Sequence, residues 1–425
     1  MTAVAMAKRE DRIMKRLFVM AGMAALLLTA IVLVSAQTSP FKLSPMEELG
    51  KRLFFDKNLS SPAGQDCAAC HAPSVGFTGP DEHVNKTGGV YEGAVKGRFG
   101  NRKPPAAAYA GDSPKLHLSE SGEFIGGMFW DGRATGDVLG DPLAEQAMGP
   151  FLNPLEQNMP DAKRLVLAVK KSDYAGLFEK VFGPGSLDAD KEPEGTYVQI
   201  GRAIAAYERS AEVNPFSSKF DDFWRAASAK GLKVETIGES NLKDFRNLGL
   251  AENELRGLVL FNSKGFCANC HVLTSANGKP PVFADYKYDN LGLPRNAENP
   301  FYGQDKAFNP DGKSWVDKGL GGFLETVEKY KKYATANYGR HRTPTIRNVD
   351  KRPSAGFVKA YMHNGCLKSL KDVVRFYNTR DVAGAGWPSP EVAANVNKTE
   401  MGNLGLTGAE EDAIVEFMKT LTDRR

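Results

Sequence analysis

The 425-residue sequence has little cysteine and little histidine, five and six residues respectively. Four of the five cysteines fall in two short motifs, so Cys366 alone is left over and no pair remains for a disulfide framework. Charge of one sign is lacking too. There are 55 basic and 51 acidic residues, a net charge of +4. Segment 1–36 contributes +3 of this, from five basic and two acidic residues. No basic run follows it, which argues against a nucleic-acid partner. Glycine and proline are plentiful, 43 and 24, and point to many loops around short helices. The remaining ~390 residues are enough to bury two or three apolar cores.

The first residues point to export. Lys8, Arg9, Arg12, Lys15 and Arg16 form a basic segment, and Leu17 to Ala36 carries no charge. Val34-Ser35-Ala36 then reads as a small-residue cleavage site. The segment is read as a signal peptide, which places the protein in the periplasm. An uncleaved membrane anchor is the alternative, because about twenty apolar residues also span a bilayer.

Two copies of one motif dominate what remains: Cys67-Ala68-Ala69-Cys70-His71 and Cys267-Ala268-Asn269-Cys270-His271. Two thiols three residues apart lie on one side of a helical turn, where they can add to the two vinyl groups of one porphyrin. The histidine that follows is then held over the iron as its proximal ligand. A redox pair or half a zinc site also uses Cys-x-x-Cys, but neither requires the histidine or predicts a second copy. Two covalent c-type haems are the expectation, ligated by His71 and His271.

Helix signals bracket both motifs. Ser44-Pro45-Met46-Glu47 is a capping box with proline at the first helical position. Gly50-Lys51-Arg52-Leu53-Phe54 is echoed by Gly257-Leu258-Val259-Leu260-Phe261, each just before a haem motif, so the chain contains a diverged repeat. Closing helices are expected over Tyr197 to Glu212, with Ile200, Ile204 and Tyr207 as core, and over Thr407 to Leu421, with Ile414, Phe417 and Met418. Residues 79–115 and 276–345 read as long loops, and 212–250 as the crossing between two domains.

Several blocks resemble the bacterial di-haem cytochrome c peroxidases and their MauG-type relatives. They are Phe129-Trp130-Asp131-Gly132-Arg133-Ala134, Glu145-Gln146-Ala147, Pro150 and Asn153-Pro154-Leu155-Glu156. Further on come His341-Arg342-Thr343-Pro344-Thr345-Ile346-Arg347-Asn348-Val349, Ala360-Tyr361-Met362-His363-Asn364-Gly365, and Leu367 to Tyr377. The resemblance implies a mainly α fold of two cytochrome c-like haem domains with long loops and little β structure. Their expected bounds are 37–225 and 226–425. The N-terminal haem is then the site of peroxide reduction, with Glu156 as acid–base group, Gln146 and Pro150 lining the pocket, and Trp130 relaying electrons between the haems.

The resemblance leaves other points open. The segment between Trp130 and Gln146 is longer than the family's short form, with Gly136 to Pro142 as an extra loop that would alter pocket access. His83 is closer to His71 than a blocking histidine would be and reads as an exposed loop residue, and His117 has no motif around it. The first haem is therefore expected to be open. At the second haem Tyr377 stands where peroxidases carry methionine and MauG-type enzymes tyrosine, with Met401 and Met362 as rivals. Asn101 is the nearest match to a calcium ligand, and Cys366 reads as a buried apolar residue. The implied activity is peroxide reduction, with electrons from a small cytochrome or cupredoxin. The alternatives are a MauG-type oxidation of residues on a protein partner and a non-catalytic electron carrier.

Overall fold

The computed structural model describes residues 41–275 and 278–424; the expected leader 1–36 lies outside the described residues. The fold is mainly helical. Among the described residues, strand is confined to two antiparallel pairs of two residues each, β1 (His117–Leu118) with β2 (Phe124–Ile125) and β3 (Tyr288–Asp289) with β4 (His341–Arg342). No helix among the described residues is long and apolar enough to cross a membrane.

The helices in chain order are α1 (Pro45–Phe54), α2 (Glu82–Lys86), α3 (Pro142–Leu152), α4 (Ala162–Lys170), α5 (Ala175–Phe182) and α6 (Pro193–Glu208). They continue with α7 (Lys219–Ala229), α8 (Glu252–Asn262), α9 (Gly319–Leu324), α10 (Leu370–Thr379) and α11 (Gly408–Lys419). Capping boxes open α1 and α11 as their sequences require: Ser44 caps with Glu47 and Thr407 with Glu410.

The repeat seen in the sequence is a packing unit. α1 crosses α6 and α8 crosses α11, each with a glycine at the contact. A Cβ on Gly50 would overlap the Ala203 carbonyl and lie 2.9 Å from the Tyr207 Cβ. A Cβ on Gly257 would overlap the Ala413 carbonyl and lie 2.9 Å from the Phe417 Cβ. Glycine is there because the two backbones touch.

Two apolar cores form around these crossings. The first holds Leu49, Leu53, Phe54, Phe151, Ile200, Ile204 and Tyr207. The second holds Phe220, Phe223, Leu255, Phe261, Phe283, Ile414 and Phe417. Phe220 and Phe223 come from α7, inside the stretch read as a crossing. The expected boundary at 225/226 falls within this helix, whose apolar face belongs to the second core. α9 likewise forms where Gly319-Leu320-Gly321-Gly322 gave no helical signal, because Leu320 and Leu324 bury against Phe124 and Tyr288.

A buried ion pair ties the second core to its neighbours. Arg347 and Asp221 meet at 2.7 Å with both side chains fully buried. Arg347 also donates to the Pro281 carbonyl at 2.8 Å and lies over the rings of Tyr109 and Phe216.

Candidate functional site

Both Cys-x-x-Cys-His motifs adopt the same turn. Residues Cys67–Ala69 and Cys267–Asn269 form short 3₁₀ turns, and in each the histidine N–H donates to the first cysteine's carbonyl at 2.9 Å. The first turn is capped by the Asp66 carboxylate, which accepts from the Ala69 N–H at 2.8 Å. All four thiols are unpaired and half-buried. His71 Nδ1 lies 3.2 Å from the Phe77 carbonyl and His271 Nδ1 2.9 Å from the Phe283 carbonyl. A carbonyl only accepts, so each Nδ1 carries the hydrogen and each Nε2 keeps its lone pair. Burial lowers the His71 pKa to about 4 and lowers that of His271, so both rings are neutral at pH 7.

Each motif lines its own cavity. Two thiols on one turn, a neutral imidazole anchored through Nδ1–H, and an apolar cavity beside them fit a covalently held haem in both places.

The first cavity carries Gln146, Pro150 and Glu156 on its wall with Cys67, Cys70 and His71. α3 contains Pro150 in its last turn and ends at Leu152. The chain then turns, with the Leu155 N–H donating to the Asn153 side chain at 3.0 Å, and this turn brings Glu156 to the wall. Burial raises the Glu156 pKa, with Arg133 opposing it. Glu208, at the end of α6, is a second carboxyl on this wall that the sequence did not single out. Burial pushes it up to about 8. The extra loop is tied down: Glu145 accepts from the N–H groups of Gly136, Val138 and Leu139 at 2.7 to 2.8 Å. Residues 136–142 line neither cavity, contrary to the expectation that they would alter access.

Trp130 lines both cavities. Its indole N–H donates to the Lys103 carbonyl at 2.7 Å, and its own carbonyl accepts from the Arg342 N–H at 2.9 Å. The ring is therefore fixed from both sides of the chain.

The second cavity is lined by Cys267, Cys270 and His271 together with Tyr377, Met401 and Met362. Tyr377 sits on α10; burial raises its pKa, and its hydroxyl has no hydrogen-bond partner among the described residues. His83 on α2 and His117 on β1 are exposed and line neither cavity. Cys366 packs half-buried against the second core, its thiol pushed up to about 12 by burial. Asn101 lines the first cavity, flanked by the buried cations Arg102 and Lys103, which oppose a further cation there.

The sequence profile described as di-haem cytochrome c peroxidase matches residues 44–229. Methylamine utilization protein MauG of Paracoccus denitrificans is 33% identical over 393 residues, covering 89% of this chain and 88% of that protein. This chain belongs to the MauG/di-haem cytochrome c peroxidase family. Another relative is the cytochrome c551 peroxidase of Nitrosomonas europaea, 29% identical over 89% of this chain and 80% of its own length. Among solved structures, the diheme peroxidase BthA of Burkholderia thailandensis superposes with a TM-score of 0.70 at 30% identity, covering 90% of this chain and 87% of that one. As a member of the di-haem peroxidase family the protein is a haem oxidoreductase.

One cluster on the wall between the cavities escaped the sequence reading. Arg102 donates to Asp131 at 2.6 Å and, through two nitrogens, to Asp317 at 2.7 Å. His341 and His363 stack beside Asp317 with ring centroids 3.5 Å apart. These residues come from five separate stretches, and no spacing rule pairs them.

Proposed function

We propose that this family member is an exported, periplasmic di-haem peroxidase whose halves are cytochrome c-like haem domains. Hydrogen peroxide is reduced in the His71 cavity, and electrons arrive through the His271 cavity from a small cytochrome or cupredoxin. The observation that carries this reading is the position of Trp130 on the walls of both cavities. An indole exchanges an electron, which an aliphatic wall does not.

Cys67, Cys70 and His71 would hold one haem, and Cys267, Cys270 and His271 the other. Bound haem supplies two-electron reduction of peroxide and one-electron exchange. The chain supplies protons and paths. Glu156 keeps its proton more readily than an ordinary glutamate and delivers it to the departing peroxide oxygen, which leaves as water. Gln146 on the same wall orients the peroxide by hydrogen bonding.

Tyr377 favours a second reading, oxidation of residues on a protein partner. A phenolate is a hard, anionic donor that stabilises ferric iron, and this tyrosine lines the second cavity with a hydroxyl free of other partners among the described residues. The two readings share a test. Trp130→Phe should leave peroxide consumption at the first site and slow the appearance of oxidation at the second, followed by stopped-flow absorbance. Unchanged sharing between the sites would remove Trp130, and with it the main support for both. Turnover with a reduced small cytochrome supports the first reading. Failure to turn over with such a donor, with a stable oxidised protein after one equivalent of peroxide, supports the second.

A further inference from the structure

Taking His71 as the ligand of the first haem, we propose that Lys359, from the second half of the chain, is a positioning residue for it. Lys359 pins the loop whose Phe77 carbonyl aims the His71 ring, and so sets that ligand's orientation and basicity from across the fold.

His71 Nδ1 meets the Phe77 carbonyl at 3.2 Å. Phe77 lies in a short loop closed by two bonds, Ala72 N–H to the Thr78 carbonyl at 3.0 Å and Phe77 N–H to the Ala72 carbonyl at 2.8 Å. On one side the Phe77 carbonyl accepts from the Ala107 N–H at 3.0 Å. On the other, Lys359 Nζ donates to the Val75 carbonyl at 3.0 Å. The same nitrogen donates to the Asn348 and Lys351 carbonyls, both at 3.1 Å. That turn is itself anchored: the Asn348 N–H donates to the Leu421 carbonyl at 3.1 Å and its side chain to Asp423 at 2.9 Å. Gly76, at φ +76°, presses on the same turn, where an added Cβ would lie 2.7 Å from the Asn348 Cβ.

Lys359 is 5% exposed. Burial lowers its pKa, with Lys103 adding to the effect and Asp350 opposing it. Carbonyls only accept, however, and three of them need the three hydrogens of an ammonium. Every donor is therefore spent on the protein's own backbone, and none is left to turn into the cavity.

The second motif repeats the device. His271 Nδ1 meets the Phe283 carbonyl at 2.9 Å, and Phe77 and Phe283 are both left-handed, at φ 58° and 57°. A buried cation, Arg347, donates at 2.8 Å to the carbonyl of Pro281, two residues before Phe283, as Lys359 does to Val75, two residues before Phe77. Histidine and phenylalanine are six residues apart in the first loop and twelve in the second. The arrangement therefore does not follow from the motif's local sequence. Both cations belong to the second half, so the turn at 348–351 reaches the first haem's ligand as well. A carbonyl held in place strengthens the Nδ1–H bond and makes the imidazole a better donor to iron.

The test uses the full-length protein with both haems attached. Resonance Raman spectra of the reduced protein report the iron–histidine stretch of a haem whose sixth position is open, as the first is read to be. Lys359→Met, and the milder Lys359→Gln, which keeps two donors, should shift this band to lower frequency. Lys368→Met is the control. Lys368 Nζ also ties the halves, donating to the Asn85 and Thr87 carbonyls at 2.7 and 2.6 Å, but not to the loop that carries Phe77. Its loss should leave the band in place. An unshifted band in both Lys359 variants, or an equal shift in Lys368→Met, would overturn the proposal. So would loss of both haems in both Lys359 variants, since Lys359 would then hold the fold as a whole. A wild-type protein without the band would overturn the reading of His71 itself, and this role of Lys359 with it.

Discussion

Glu208→Gln should make the protein more stable, and increasingly so as pH rises. Glu208 is 4% exposed, and one of its carboxyl oxygens is buried without a hydrogen-bond partner among the described residues. Burial is the main cause of its raised pKa, with Arg209 opposing and Asp141 adding. The folded carboxyl keeps its proton until about pH 8, whereas the ordinary value is 4.5. Between those values the unfolded chain releases a proton that the folded chain retains. Stability from this group is therefore fully present below pH 4.5 and is lost as pH rises towards 8. At 1.36 kcal/mol per pH unit the loss has a ceiling of about 5 kcal/mol. Glutamine has nearly the same shape and nothing to ionise, so the variant escapes that loss. Guanidinium denaturation of the haem-loaded wild type and variant at pH 5, 6.5 and 8 isolates the term, since all other groups cancel in the difference. The gap between the two should widen with pH. Curves that stay parallel from pH 5 to 8 would show that Glu208 ionises normally in the folded protein.

Gly50→Ala and Gly257→Ala should each destabilise by about 1–3 kcal/mol or more, because the added methyl overlaps a backbone carbonyl of the crossing helix. A thermal midpoint unchanged in either variant would mean that the paired crossings are looser than described. Glu156→Gln should slow the reaction with peroxide by roughly 10²–10⁴-fold without changing haem content, since a general acid–base group contributes on that scale. A wild-type rate in stopped flow would exclude Glu156 from proton transfer.

The motifs that a short stretch can carry were legible in the chain itself. Cys-x-x-Cys-His needs only five residues, and its two copies announced two cavities before any fold was known. Ser44 with Glu47 and Thr407 with Glu410 each satisfy their own helix terminus locally, so those helix starts could be read directly. The glycines at 50 and 257 could be seen to repeat, yet the reason for them, a crossing with Ala203 and Ala413 some 150 residues away, is a tertiary fact. α7 and α9 were missed because their helical state is set by Phe220 and Leu320 finding buried partners, not by local pattern. The position of Trp130 against both cavities, the proton-holding environment of Glu208, and the meeting of Arg102, Asp317, His341 and His363 depend on which distant segments burial brings together. Electrostatics and desolvation act through space, and a linear sequence records none of those distances.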